Sequence, residues 1–166
     1  MTMYYDAEGR PTKRRQGYGA IRKEYNEKKQ VIYEAWYDEN EAPMAMNGDI
    51  YFAIRREYDE NGLANVLKFL DAEGNPTTCR AGYEMVWRRF NEKKQVNYES
   101  YMDHTGEPMA NSKGVYQTTY DYDEKGRVIR ELYFDANGQT MKSNEGFIAK
   151  EWAFGEDGKG TETGIE

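Results

Sequence analysis

Apolar and aromatic residues along this chain gather in short runs, and each run stops at a polar cluster. The runs VIYEAWY (31–37), ANVLKFL (64–70), VNYESYM (96–102) and VIRELYF (128–134) are rich in Val, Ile, Tyr, Phe and Trp, the composition of β-strands. The clusters DENG, DEKG, DAEG, DHTG and DANG place Asp first and Gly fourth. That order predicts a type I turn in which the Asp carboxylate accepts from turn amides and Gly takes the left-handed conformation. Turn signals recur too closely for helices of the usual ~10–14 residues. The pattern predicts an all-β chain of hairpins.

The pattern repeats. Aromatic residues close similar strings at Tyr25, Tyr58, Phe90, Tyr122 and Phe154, at spacings of 33, 32, 32 and 32 residues. NEKKQV follows Tyr25 and Phe90, DENGLA follows Tyr58 and DEKGRV follows Tyr122. Past the second strand of each repeat an Asp opens another turn, at Asp38, Asp71, Asp103 and Asp135. Pro11, Pro43, Pro76 and Pro108 follow that turn, where a missing amide costs no ladder bond. A looser stretch is then expected to lead through Gly17, Gly82, Gly114 or Gly146 into the next strand, with one extra residue around Asn47-Gly48. A lone hairpin cannot bury an aromatic face, whereas stacked copies share a core. The expected fold is therefore a set of tandem β-hairpin repeats, period about 32 residues, stacked into an elongated solenoid-like array. The whole of 1–166 reads as one array: a partial unit over 1–25, units 26–58, 59–90, 91–122 and 123–154, and a partial or capping unit over 155–166. The chain starts and stops inside a repeat, as expected of a fragment of a longer array or of a short array with atypical caps.

Composition changes this picture in one respect. Leu, Ile, Val and Phe together supply 23 of 166 residues, below the roughly 20% at which chains usually order. The 15 Tyr and 3 Trp compensate, since aromatic side chains bury ~150–250 Å² each, so the core is expected to be aromatic. Net charge is −7 and no basic face is visible, which argues against nucleic acid. One His and one Cys give no zinc set and no internal disulfide. The N-terminal MTMYYDAEGRP has no basic-then-apolar leader, and no run reaches the ~18–20 apolar residues of a membrane helix. No cofactor or metal is expected.

Aligned repeats show two columns that are always aromatic. One is the closing residue itself; the other is Trp36, Phe69, Tyr101 and Tyr133, with Tyr4 in the partial unit. Packing between repeats accounts for both, and a second reading leaves some rings exposed to stack on sugars or quaternary ammonium groups. The strings YYDAEGRP, WYDENEAPM and YFDANGQTM resemble the repeats of choline-binding and glucan-binding cell-wall proteins, bacterial β-hairpin solenoids that hold ligands between successive hairpins. That resemblance implies a ligand site at Trp36, Tyr37 and Met44, at Tyr101 and Met109, and at Tyr133, Phe134 and Met141, with Phe69, Leu70 and Thr77 matching poorly. EYDENG, FLDAEGNP and DYDEKGRV, with GY or GF strand starts, resemble the tyrosine-aspartate repeats of bacterial wall-associated and toxin-delivery proteins, and also the hairpin repeats of some immunity proteins. Those resemblances imply a β-repeat scaffold.

Other candidate chemistry is thinner. Asp121, Asp123 and Gly126 imitate the start of a calcium loop, but Lys125 occupies a ligand position and Leu132 stands where the bidentate Glu belongs. Carboxylates are plentiful without any pair standing out for glycosidase work. Glu34, Glu99 and Glu131 share one column and read as solvated, His104 as an exposed turn residue, and Cys79 as a free thiol in the looser stretch. The pairs Arg14-Arg15, Arg55-Arg56 and Arg88-Arg89 read as cross-strand charge partners of nearby Glu. The expectation is a non-enzymatic module binding cell-wall or other surface carbohydrate multivalently within a larger bacterial protein. The alternative is a protein-interaction or immunity-type scaffold whose aromatic columns are core. The compartment expected is extracellular or cell-surface for a piece of an exported protein, and otherwise the cytoplasm.

Overall fold

The computed structural model describes residues 1–45 and 48–166. Asn47, where an extra residue is expected, lies outside the described residues. All regular structure is β: β1 (Thr2–Met3), β2 (Ala20–Tyr25), β3 (Val31–Tyr37), β4 (Pro43–Met44), β5 (Ala53–Tyr58), β6 (Ala64–Leu70), β7 (Met85–Phe90), β8 (Val96–Met102), β9 (Gln117–Tyr122), β10 (Val128–Phe134), β11 (Ala149–Phe154) and β12 (Gly160–Ile165). The chain forms two compact units, Met1–Met85 and Val86–Glu166. In the first the order is β1-β2-β3-β5-β6, with β4 also beside β3; in the second it is β7-β8-β9-β10-β11-β12. Among the described residues β1 and β12 have one strand neighbour each.

Beside the two turns expected per repeat, a third stands at Arg14–Gly17, Cys79–Gly82, Asn111–Gly114 and Ser143–Gly146. The first and second have the bonds that the Asp-x-x-Gly pattern predicts, also where Asn26 or Asn91 opens the turn and Lys29, Glu41 or Lys94 takes the left-handed position. In the turn at Asp59, Gly62 N–H donates to Asp59 O (3.0 Å) and Asp59 N–H to Leu63 O (2.9 Å), while Asp59 Oδ1 accepts from the Asn61 and Leu63 amides. Gly62 has φ +77°, so the turn is type I closed by a left-handed bulge residue. The third turn has the same bonds in the stretch expected to be loose: Gly82 N–H reaches Cys79 O (2.9 Å) and Cys79 N–H reaches Tyr83 O (2.9 Å). Its opening residue is Arg14, Cys79, Asn111 or Ser143, and only Asn111 accepts from its own turn amides, which is why the Asp signature misses it. Cys79 is the free thiol expected, though buried in an ordered turn.

Prolines sit where the missing amide is harmless. Pro76 and Pro108 face Leu70 and Met102, and the next residue makes the bond, Thr77 N–H to Phe69 O and Met109 N–H to Tyr101 O (both 3.0 Å). This returning strap occupies the end of each second strand. Thus β3 meets β5 over Tyr33–Ala35 and β4 over Trp36–Tyr37.

The core is aromatic. In the first unit Tyr51 lies 5.9 Å from Trp36 and 4.7 Å from Phe69, and Phe69 lies 5.9 Å from Tyr83, centroid to centroid. Tilted, offset rings at these distances pack by area and add ~0.5–1.5 kcal/mol per pair. The closing aromatic column, by contrast, is peripheral. Tyr25 is 57% exposed, and Tyr58 and Tyr122 are half-buried with hydroxyls donating to Val31 O and Val96 O.

Candidate functional site

Strand alternation sends neighbouring residues to opposite sides of a sheet, and the two sides differ chemically here. Ile21 stands opposite Trp36 and Lys23 opposite Glu34, so the aromatic column and the acid column share a side. Trp36 (5% exposed), Tyr101 (3%) and Tyr133 (1%) are buried there, as packing between repeats requires and unlike the second reading, which leaves some of these rings exposed. Half-buried Tyr37, Met44, Met109, Phe134 and Met141 complete the set implied by the cell-wall resemblance. The structure does bring its aromatic and Met members together: Met44 is the register partner of Trp36, Met109 N–H donates to Tyr101 O, and Met141 N–H to Tyr133 O (3.1 Å). The contact is through backbone, with the rings turned inward.

The acid column is not solvated as expected. Glu34 lies between Lys23 (3.1 Å) and Arg56 (3.6 Å). Glu99 is buried; its Oε1 accepts from Arg88 Nε (2.8 Å) and its Oε2 from the Tyr120 hydroxyl (2.8 Å), with the Tyr101 hydroxyl 3.2 Å away. Glu131 accepts from Lys113 Nζ (3.1 Å) and the Tyr133 hydroxyl (2.8 Å). These carboxylates join the polar rims of adjacent hairpins, where a packed Tyr hydroxyl needs an acceptor. Burial, reinforced by the Glu99 charge, pushes the Tyr101 phenol up to about 12, and burial followed by Glu131 raises Tyr133 further. Such phenols stay neutral at ordinary pH.

Two open grooves lie beside the first turns. One, of about 400 Å³, is lined by Asn26, Lys28, Gln30, Ile32, Tyr58 and Asp59. Two repeats later an equivalent groove of about 370 Å³ is lined by Asn91, Lys93, Gln95, Asn97, Tyr122 and Asp123. Ile32 is skipped in the β2/β3 register, where Glu24 pairs with Tyr33 and Tyr25 with Val31, so that groove sits at a β-bulge. Asn97 Oδ1 is buried at its groove without a partner. Asp123, the calcium-like position, is engaged by Arg127 and by the Lys125 and Arg127 amides, whose hydrogen bonds hold its carboxyl below the usual range. His104 is exposed, as expected.

In each unit, taken by itself, the opposite side of the strands carries cations against rings. Arg22 and Arg55 lie 5.7 and 4.9 Å from the Tyr33 centroid. Arg89 lies 4.1 Å from the Tyr98 centroid and 5.4 Å from Trp87, and Trp87 meets Tyr98 edge-on at 5.8 Å. Trp87 is 36% exposed. Sequence reasoning missed these clusters because it assigned adjacent arginines one role. The available signal was period two, which sends Arg55 and Arg56 to different sides. No family model matches the chain, and no curated protein matches it in sequence.

Proposed function

We propose that this chain is a non-enzymatic β-repeat scaffold, its hairpins stacked as a solenoid-like array, that binds a partner protein. One observation carries this reading: the aromatic column that the cell-wall resemblance would use for ligands is spent on the core, with Trp36, Tyr101 and Tyr133 at most 5% exposed. Rings held inside cannot stack on sugars, and recognition falls to the polar and cationic surfaces between them. A glycan reading retains one supporting feature, the pairing of Met44, Met109 and Met141 with the aromatic column.

Testing separates the two. The full chain is screened against purified cell walls, soluble glycans and choline by Trp fluorescence and co-sedimentation, and in parallel is used as bait for a protein partner identified by cross-linking and reconstituted from pure components. The expected result is no saturable glycan or choline binding and a reconstituted protein complex that weakens with salt. Saturable glycan binding, lost in a folded Met109→Ala or Met141→Ala variant, would overturn the proposal.

A further inference from the structure

Adjacent arginines have divided tasks in two strands. Arg56 and Arg88 face the acid column, 3.6 Å from Glu34 and 2.8 Å from Glu99. Arg55 and Arg89, on the other side, lie over rings, Arg55 4.9 Å from the Tyr33 centroid and Arg89 4.1 and 5.4 Å from those of Tyr98 and Trp87. Both are exposed, and neither makes an ion pair among the described residues. Other cations on that side do: Arg22 with Glu24 (2.7 Å), Lys68 with Glu57 (2.5 Å) and Arg130 with Glu151 (3.4 Å). In a chain with 30 acids and 23 bases, carboxylates were available to neutralise Arg55 and Arg89. Rings hold them instead.

A guanidinium held over a ring by cation–π attraction, with no carboxylate partner, keeps N–H donors for a planar anion, which carboxylates can engage bidentately. It also covers ring faces. A sugar needs a bare face, and the nearest one on Tyr98 is held by Arg89 at 4.1 Å. The chemistry left over is that of an anion receptor with an apolar collar.

We propose that Arg55 on Tyr33, in the first unit, and Arg89 on Trp87 and Tyr98, in the second, are docking points for carboxylate side chains of an acidic segment of a partner protein. The inference rests on the protein-binding reading and names the chemistry of its partner. The ring contact fixes each guanidinium before the ligand arrives, which cuts the side-chain entropy lost on binding.

The test is fluorescence anisotropy of a labelled deca-glutamate peptide with the full chain, with polygalacturonate as the polysaccharide arm. Saturable binding that falls at least about tenfold between low and physiological salt is expected. Arg55→Gln and Arg89→Gln should each raise Kd about fivefold or more, whereas Lys68→Gln, which removes an already paired cation, should change it less than about twofold. Arg89→Lys should restore only part of the loss, because an ammonium lacks the fork. Absence of saturable peptide binding, equal weakening by Lys68→Gln, or Arg89-dependent binding of polygalacturonate alone would overturn the inference. A reconstituted protein complex unaffected by the Arg55→Gln/Arg89→Gln double variant would overturn it too, while leaving the protein-binding reading in place.

Discussion

The side-chain amide of Gln95 reaches across to the next repeat and stops 3.1 Å from where a Cβ on Gly126 would stand. Gln30 does the same to Gly62 at 3.3 Å. Each Gln is held by its own turn, through Asn26 Nδ2 to Gln30 Oε1 (2.8 Å) and Asn91 Nδ2 to Gln95 Oε1 (2.9 Å). The alternation of NEKKQ with Asp-x-x-Gly along the sequence is therefore a packing relation between neighbouring turns. The repeat that supplies the Gln tolerates a Lys in the left-handed position (Lys29, φ 61°; Lys94, φ 62°), and the repeat that receives it carries Gly.

Replacing these residues should move stability in opposite directions. Gly126→Ala places a Cβ at φ +80° and against Gln95, and is expected to cost about 1–2 kcal/mol. Lys94→Gly relieves a left-handed side chain and should gain a few tenths to about 1 kcal/mol. Urea unfolding midpoints at constant m-value check both, and a stabilised Gly126→Ala protein would refute the packing relation.

Burial makes the aromatic column a stability determinant. Tyr133→Ala should cost about 3–5 kcal/mol, a large share of the stability of a domain this size, and Trp36→Ala a similar amount. Thermal unfolding of the variants measures the loss. A folded Trp36→Ala protein with unchanged Tm would mean that the ring is not core.

Alkaline pH should loosen the fold. The folded state keeps the Tyr101 proton up to about 12, whereas an unfolded Tyr releases it near 10, so the stability from this group is complete below about pH 10 and is lost as pH climbs from there toward 12. Lys23, raised by Glu34, loses its contribution in the same direction. Urea midpoints at rising pH in the parent and in Tyr101→Phe separate the two contributions. The Phe variant should fall less steeply, and identical slopes would exclude Tyr101 as a cause.

Two ion pairs of similar length should differ in worth. Arg88→Met leaves the buried Glu99 carboxylate with phenol donors only and should cost about 1–3 kcal/mol. Lys68→Met removes an exposed partner of Glu57 and should cost less than about 0.5 kcal/mol. Equal losses in denaturant unfolding would contradict the burial difference.

Strand positions, Asp-x-x-Gly turns and an aromatic core were all legible in the sequence because each has a local cause. Period-two composition marks strands, an Asp side chain caps its own turn, and a shortage of Leu and Val forces Tyr and Trp inward. The third turn was not legible: at Cys79 and Ser143 only backbone bonds define it, leaving no side-chain signature. Nor was the fate of Glu99, whose shielding depends on Tyr120 from the next hairpin and on Arg88 from the strand before.

What the sequence by itself determined is thus the repeat, its strands and the residue type in each column, since these follow from neighbours a few positions apart. Only the tertiary structure decided which face each column meets. A one-residue bulge such as the skip at Ile32 resets the alternation of a strand against its partner, and so it is the pairing of hairpins that buries Trp36 and Glu99 and leaves Arg55 and Arg89 over rings at the surface.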